Sequence, residues 1–258
     1  MAPTRIGLFG FGRTGSLAAH EILKDGSLEL AWVVRRAQVE PGRFASRALG
    51  LEGDRGPLLS LDAFLADELL RSGHGVDVVI DFAGPAALEA YAPVAARRTA
   101  IVSAVSAYPA DALALLDRLA SKTAVLHSPN ITLGINFLLV AAKAMRRLVP
   151  DADVAILEEH FRDKGDISGT AVRIADALGV DRSRELHSVR AGGIVGKHEV
   201  IFGLPNQTVR LVHESIHRGA FGRGAIAAAK WLVGKRPGRY SMEDVVREAM
   251  SEVIFEGS

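Results

Sequence analysis

Six residues near the start, Gly10-Phe11-Gly12-Arg13-Thr14-Gly15, constrain most strictly what this chain can fold into. They have the spacing G-x-G-x-x-G and follow the apolar run Arg5–Gly10, which predicts a buried strand, while a helical pattern over Ser16–Lys24 comes next. Glycines at these positions permit a tight turn and let the backbone approach a pyrophosphate, which then binds at the helix N-terminus. A strand, glycine turn and helix in this order therefore predict a dinucleotide-binding unit. The alternative is a glycine-rich turn without a ligand.

Four further apolar runs predict strands of the same sheet, because helix-length segments separate them. They are Leu28–Val34, Val76–Phe82, Ala100–Val105 and Ala124–His127. Strands joined by helical crossovers form parallel sheets with helices on both faces. The sequence therefore predicts an α/β fold with a Rossmann-type doubly wound parallel sheet.

The pattern changes after about Pro129. A helix is predicted over Ser168–Leu178, ended by Gly179, and runs that read as strands lie on both sides of it. The short turns between the later runs favour a mostly antiparallel sheet, which we interpret as an inserted α+β domain for substrate binding or oligomerisation. These runs are Val154–Phe161, Glu185–Val195, His198–Phe202 and Thr208–Ile216. The predicted domains are residues 1–129 with 217–258 for the dinucleotide and residues 130–216 for the substrate.

The tail of the chain returns to a helical pattern. Gly222–Val233 predicts a helix with Gly234 as its C-cap, and Ser241 with Asp244 has the spacing of a capping box for a last helix.

Composition argues against several classes of protein. The 258 residues include 31 Lys and Arg against 30 Asp and Glu, a formal charge of +1, which argues against nucleic-acid binding or a polybasic membrane surface. The absence of cysteine excludes disulfide scaffolds, cysteine nucleophiles and thiolate metal sites. The sequence has no signal-peptide pattern and no apolar window of about 18 residues, so we expect a soluble, cytoplasmic protein.

The end of the second predicted strand bears on the choice of cofactor. A site that prefers NAD usually has Asp or Glu at this point, where the acid binds the ribose hydroxyls. This chain has Val34-Arg35-Arg36 instead. Two guanidinium groups suit a 2′-phosphate, and Arg13 adds to the same positive field. The sequence therefore favours NADPH, with NADH as the alternative cofactor and exposed arginines without a ligand as the alternative interpretation.

The densest group of chemically active side chains lies between a predicted strand and a predicted helix. His160 and Lys164 place a proton donor and a cation in a charged loop. Ser168 is a candidate N-cap, and the N–H groups of Gly169 and Thr170 form an anion seat at the helix start. This pattern predicts a site for an acidic small molecule, whereas the alternative is a capped helix preceded by a solvated charge run.

No motif of another catalytic class accompanies this loop. His213 and His217 have the spacing H-x-x-x-H, but they fall on a predicted strand end, where roughly 13 Å would separate them. H-E-x-x-H, G-x-S-x-G and P-loop motifs are all absent, so we expect no metal site and neither hydrolase nor P-loop chemistry.

Motifs over nearly the whole chain point to one family. They are the glycine turn, Asp81-Phe82, the segment Pro129–Asn136, the spaced set Glu158-x-His160-x-Arg162-x-Lys164-x-Asp166, Ser168–Ala171, Arg190–Gly196 with His198, then His213, Arg218, Gly224-Ala225, Ala228-Ala229, Trp231-Leu232, Tyr240–Met242 and Asp244-Val245. With these residues the chain resembles the dihydrodipicolinate reductases (4-hydroxy-tetrahydrodipicolinate reductases) of the diaminopimelate–lysine pathway.

The resemblance implies a role for each part of the site. Hydride would pass from a nicotinamide to a cyclic unsaturated imine dicarboxylate, and His160 would then protonate the carbon skeleton. Lys164 would assist and hold one substrate carboxylate, while Ser168, Gly169 and Thr170 would seat the other. The resemblance further implies a homotetramer formed through the substrate-domain sheet. The resemblance also adds five residues to the glycine turn and the arginines of the cofactor site, namely Phe82, Ser103, Val105, Asn130 and Thr132.

Four departures from the family pattern fall near the reacting centre or the cofactor. Phe161 stands where relatives commonly have a second histidine, and Asp166-Ile167 leads directly into Ser168, one residue shorter and without proline. Ser103–Ser106 replaces a Gly-Thr-Thr-Gly segment, and the glycine turn is one residue shorter than the usual form. Two other hypotheses therefore stay open beside the reductase of the lysine pathway. One is a divergent imine reductase with another substrate in a specialised pathway, and the other is a non-catalytic NADPH sensor.

Overall fold

The computed structural model describes residues 2–255. Within these residues the strands are β1 Thr4–Phe9, β2 Leu28–Arg35, β3 Leu58–Ser60, β4 Val78–Asp81, β5 Ala100–Ser103, β6 Ala124–His127, β7 Asp153–His160, β8 Leu186–Arg190, β9 Lys197–Leu204, β10 Gln207–Glu214 and β11 Gly238–Tyr240. The α-helices are α1 Gly15–Lys24, α2 Ala45–Ala48, α3 Leu61–Ala66, α4 Glu68–Arg71, α5 Pro85–Tyr91, α6 Ala110–Ala120, α7 Leu133–Leu148, α8 Gly169–Leu178, α9 Arg182–Glu185, α10 Gly219–Leu232 and α11 Met242–Phe255, with a 3-10 helix over Ala92–Arg97. None of the helices in this part of the chain is long and apolar enough to cross a membrane.

The chain divides into two compact units. The first contains the residues up to Thr132 together with Gly219–Val245, and the second contains Leu133–Arg218 together with the described residues from Val246 onward. The sequence prediction places residues 217–258 together in the dinucleotide domain, whereas the structure groups the part of α11 from Val246 with the second unit.

A seven-stranded sheet forms the centre of the first unit. Its order is β11-β6-β5-β4-β1-β2-β3, and every neighbouring pair is parallel. Two apolar clusters form its core; Ile6 and Leu8 belong to one, and Phe9 with Trp32 belongs to the other. Successive strand side chains point to opposite faces, so both faces of the sheet are buried under helices. The predicted doubly wound α/β fold is confirmed.

A four-stranded sheet forms the centre of the second unit. Its order is β10-β9-β7-β8, with β7 parallel to β8 and antiparallel to β9, and β9 antiparallel to β10. In β7, alternate residues such as Val154 and Ile156 are buried, which is the period expected of a strand with one face on a core. These side chains pack against Ile135 of α7 and Ile174 of α8.

Some predicted element bounds are wrong. The run Glu185–Val195 is not one strand, because β8 ends at Arg190 and a turn follows in which Gly192 has φ +48°. Two short strands, β3 and β11, carry no pattern of their own that predicts them. The capping box is confirmed, because the backbone N–H of Ser241 donates to Asp244 and that of Asp244 donates to the Ser241 hydroxyl.

Candidate active site

The carboxyl ends of the parallel strands in the first unit border two clefts. The first has a volume of about 510 Å³ and is lined by Gly10, Gly12, Arg35, Arg36 and Phe82 among others. It lies where the strand order reverses, between β1 and β4, which is the point at which open α/β sheets bind ligands. The second cleft has a volume of about 410 Å³ and is bordered by residues that include Thr14 and Val105.

The glycine turn is held tightly against its surroundings. Gly10 has φ +98°, a conformation that favours glycine, and a Cβ there would lie 2.9 Å from the backbone of Phe82. Gly12 has open space where a side chain would stand, and it is exposed in the cleft. Helix α1 then begins at Gly15, so its N-terminal N–H groups lie directly after the turn. This geometry fits a bound pyrophosphate.

The arginines predicted to select the cofactor are at the surface. Arg13, Arg35 and Arg36 are all exposed, and Arg35 and Arg36 line the first cleft. Neither of these two makes an ion pair or a side-chain hydrogen bond with the residues that the structure describes. Both guanidinium groups are therefore available to an anion in the cleft.

The other residues predicted for the cofactor lie in different surroundings. Val105 borders the second cleft, whereas the Ser103 hydroxyl is fully buried and hydrogen-bonded to Tyr108 Oη at 2.8 Å. The side-chain oxygen of Asn130 accepts bonds from the backbone N–H and the hydroxyl of Thr132. In the structure these last two residues hold the segment after β6 in place.

A buried carboxylate at the end of β4, next to Phe82 of both clefts, escaped the sequence prediction. Asp81 is fully buried, accepts hydrogen bonds from Tyr91 Oη at 2.8 Å and Tyr108 Oη at 3.2 Å, and also accepts from the N–H of Ala83. Burial raises the pKa of Asp81 from 3.8 to about 6, although these hydrogen bonds oppose the effect. The only sequence signal is an acid at the end of an apolar strand.

In the second unit, His160 ends strand β7 beside a buried acid of the same strand. Its Nδ1 is hydrogen-bonded to the carboxylate of Glu158, whose side chain is fully buried. The two residues are two positions apart, so they lie on the same face of the strand. Burial lowers the pKa of His160, Glu158 opposes that effect, and the charges of Lys164 and Arg190 add to the lowering.

Glu158 accepts hydrogen bonds from three other groups. Its Oε1 receives Arg190 Nη2 at 2.6 Å, Ser188 Oγ at 2.7 Å and the backbone N–H of Ser168 at 3.4 Å. Burial alone would raise the pKa of Glu158, but the hydrogen bonds from Arg190, Ser188 and His160 outweigh it and lower the pKa to about 2. Glu158 is therefore ionised at neutral pH, although its side chain is buried.

Arg190 also fixes the loop that carries Lys164. Its Nε donates to the carbonyl of Lys164 at 3.0 Å, and its Nη2 donates to the carbonyl of Asp166 at 2.9 Å. The Lys164 ammonium has no carboxylate within ion-pair distance among residues 2–255. The structure thus holds the loop backbone and leaves this ammonium for another partner.

The predicted anion seat lies at the start of helix α8. Gly169 and Thr170 form its first turn, where backbone N–H groups have no acceptor within the helix. Ser168 is the N-cap residue, but the prediction that its side chain caps the helix is wrong. The hydroxyl is instead 2.9 Å from Nε2 of His198, a buried side chain on β9.

His198 completes a buried histidine pair that the sequence did not reveal. Its ring lies edge-on to that of His160, with 5.4 Å between the centroids. Burial lowers the pKa of His198 to about 4, and the nearby charge of His160 adds to the effect. His198 is therefore neutral near pH 7.

The departures from the family pattern place apolar surface at this loop. Phe161 is 41% exposed and Ile167 is 48% exposed, at the two ends of the segment between His160 and Ser168. In the part of the chain that the structure describes, no cluster of three or more His, Cys, Asp or Glu side chains is arranged to hold a metal ion.

The first unit has a parallel sheet with a glycine turn at its switch point, and the second unit has a histidine and a lysine in one loop region. These features define an oxidoreductase that uses a nicotinamide cofactor on a small molecule. Family comparison makes the class specific: the model for the N-terminus of dihydrodipicolinate reductase matches residues 4–131, and that for its C-terminus matches residues 134–246. The chain belongs to the dihydrodipicolinate reductase family.

Curated relatives agree with this assignment. The 4-hydroxy-tetrahydrodipicolinate reductase of Caldanaerobacter subterraneus subsp. tengcongensis is 34% identical over 210 residues, which cover 73% of this chain and 84% of that protein. The enzyme of the same name from Syntrophus aciditrophicus is 32% identical over 263 residues, covering 92% and 96% of the two chains. The resemblance inferred from the motifs is confirmed.

Solved structures share the fold. Dipicolinate-bound dihydrodipicolinate reductase from Paenisporosarcina sp. TG-14 superposes with a TM-score of 0.75 at 20% identity and covers 94% of this chain and 99% of that one. An amine dehydrogenase from Mycobacterium smegmatis has a TM-score of 0.63 at 12% identity, with 93% and 95% of the chains covered.

Proposed function

We propose that this protein is a NADPH-dependent reductase that converts 4-hydroxy-tetrahydrodipicolinate to tetrahydrodipicolinate in lysine and diaminopimelate synthesis, as a cytoplasmic homotetramer. The observation that carries the proposal is the pairing of His160 with the buried, ionised Glu158 beside Lys164, in a chain of this family.

Residues of the first unit support the cofactor assignment. Gly10, Gly12, Thr14 and Gly15 would hold the pyrophosphate, and Phe82, Val105 and the segments around Ser103, Asn130 and Thr132 would border the nicotinamide. NADPH supplies the hydride when it is bound. Arg35 and Arg36 line the cleft, so they would pair with the 2′-phosphate, and Arg13 would strengthen the positive field. NADH would lack these contacts.

Residues of the second unit support the substrate assignment. The Lys164 ammonium has no carboxylate within ion-pair distance in the part of the chain that the structure describes, and it would bind one carboxylate of the substrate. Ser168, Gly169 and Thr170 would bind the other at the start of α8. His160 would donate a proton to the substrate carbon skeleton once hydride has been added. The net conversion consumes one hydride and one proton and releases one water, so one positioned acid satisfies it.

A turnover measurement tests this proposal. The substrate is generated in situ from pyruvate and aspartate semialdehyde, and oxidation of NADPH and of NADH is followed by near-ultraviolet absorbance. We expect NADPH-dependent turnover with a higher kcat/KM for NADPH than for NADH. Tight NADPH binding without turnover would contradict the substrate assignment and leave the cofactor assignment intact.

A second candidate is a divergent reductase that acts on an imine with an apolar portion. Phe161 and Ile167 favour it, because both expose apolar surface at the loop that carries Lys164. The variant Phe161→His separates the two candidates. If the first candidate is correct, restoring a second imidazole should raise kcat/KM for the dicarboxylate substrate. If the wild type instead turns over only imines with an apolar portion, and Phe161→His loses that activity, the second candidate is favoured.

A further inference from the structure

We propose that Glu158 is a positioning residue that keeps a proton on Nδ1 of His160 and thereby makes Nε2 the nitrogen that donates to the substrate. This inference rests on the proposed function in one respect, since it takes His160 to be the acid. It adds the means by which the chain selects one of the two ring nitrogens.

Contacts of Glu158 establish the first step. The carboxylate is fully buried, and its Oε1 accepts hydrogen bonds from Arg190, Ser188 and the backbone N–H of Ser168. Only Oε2 is therefore left for His160. An ionised carboxylate accepts hydrogen bonds and donates none. Nδ1 of His160 must therefore carry the proton in both the neutral and the charged imidazole.

The surroundings of Nε2 establish the second step. Among the described residues this nitrogen makes no hydrogen bond, and the side chain keeps 11% of its surface exposed. A Cβ at position 196 would lie 3.0 Å from Nε2, but the residue there is glycine. The proton that His160 can give away is therefore on Nε2, the nitrogen that no hydrogen bond from the described residues engages.

Charges around the ring explain why an acid partner is needed. Lys164 in the loop and Arg190 on β8 both disfavour the charged imidazole, and His198 on β9 packs against it as a neutral ring. Glu158 is the acid that faces His160 and opposes these effects. Without its charge, His160 would be protonated only at lower pH.

The variant Glu158→Gln tests the inference because it keeps the size of the side chain. The amide oxygen would replace the oxygen that accepts from Arg190, and the amide N–H would then face Nδ1 and donate to it. The neutral ring would shift its proton to Nε2, and protonating it further would become harder. Glu159→Gln is the matched control, since Glu159 is the next residue of β7 and pairs with Lys197 at 2.7 Å.

Two readouts are needed, one on the free protein and one on turnover. Proton–nitrogen NMR of 15N-histidine-labelled protein, assigned with His160→Asn, reports which ring nitrogen is protonated. We expect Nδ1–H in the wild type and in Glu159→Gln, and Nε2–H in Glu158→Gln. We further expect Glu158→Gln to lower kcat/KM at pH 7 by at least about tenfold, but by no more than the ~10²–10⁴-fold that general acid catalysis contributes in full. The high-pH limb of its activity profile, where His160 loses the proton that it donates, should move to lower pH by about one unit, while Glu158→Asp should retain the tautomer and part of the activity.

Each outcome decides the inference. A neutral wild-type ring protonated on Nε2 would overturn it without any variant, even if Glu158→Gln fails to fold. An unchanged pH profile in Glu158→Gln, with the tautomer shifted, would also overturn it. The spectra require no substrate, so they decide the tautomer even if the wild type does not reduce 4-hydroxy-tetrahydrodipicolinate. Full turnover by His160→Ala would instead count against the proposed function.

Discussion

Gly15 packs directly against the carbonyl oxygen of Gly10, and a Cβ on Gly15 would lie only 2.0 Å from that oxygen. Position 12 of the same turn has open space instead. The two glycines therefore serve different purposes, although the motif presents them alike. Gly15 permits the helix to start against the strand, and Gly12 leaves the cleft open to a ligand.

The variants Gly15→Ala and Gly12→Ala should separate these purposes. Gly15→Ala should lower the free energy of unfolding by about 1–3 kcal/mol, because the turn must open to admit a methyl group. Gly12→Ala should unfold like the wild type in urea and yet bind NADPH more weakly, since its methyl group would occupy the cleft. Equal stability of the two variants would contradict this assignment.

Charge reversal of Arg35 and Arg36 together should weaken NADPH binding much more than NADH binding. Each charge-assisted hydrogen bond to a phosphate contributes about 1.5–3 kcal/mol, so the dissociation constant for NADPH should rise at least tenfold. Binding is measured by calorimetry. Arg118→Glu with Lys122→Glu makes the same change of charge at two exposed positions, one in α6 and one just after it, and should leave both affinities unchanged. NADPH affinity that is unaffected by the first pair would refute the cofactor assignment.

Asp81 should make the stability of the first unit depend on pH. Burial raises the pKa of Asp81 from 3.8 to about 6, so the folded protein binds this proton more tightly than the unfolded chain. The stabilisation is complete below about pH 4 and is lost as the pH rises through 6. Relative to Asp81→Asn, the wild type should lose about 2–3 kcal/mol of unfolding free energy between pH 4 and pH 7.5, at 1.36 kcal/mol per pKa unit.

Urea unfolding at the two pH values measures this difference. Asp117→Asn, a change at an exposed acid of α6, should follow the wild type at both. A difference between wild type and Asp81→Asn that does not vary with pH would contradict the raised pKa.

The fold could be predicted largely from the sequence because its signals are local. The glycine turn, the apolar strands and the reciprocal bonds of Ser241 and Asp244 each involve residues close together in the chain. The three-residue strands β3 and β11 could not be predicted, because three residues show no period and both lie at sheet edges.

The candidate site could be predicted only in part, because its geometry depends on strand register. His160, Lys164 and Gly169 fall within ten residues, so the sequence places them together. Arg190 and Ser188 contact Glu158 because β8 pairs in parallel with β7, with Ser188 opposite Glu158 and Arg190 opposite His160. The bond between Ser168 and His198 joins positions thirty residues apart. Neither spacing nor residue type signals such pairs.

Turnover by His160→Ala beside the wild type tests the central claim most directly. NADPH oxidation is measured with 4-hydroxy-tetrahydrodipicolinate generated in situ, and NADPH binding is measured on the same preparations. We predict unchanged NADPH affinity and a loss of kcat of about 10²–10⁴-fold, since the variant retains the cofactor cleft and lacks the acid. Wild-type turnover by His160→Ala would contradict the account.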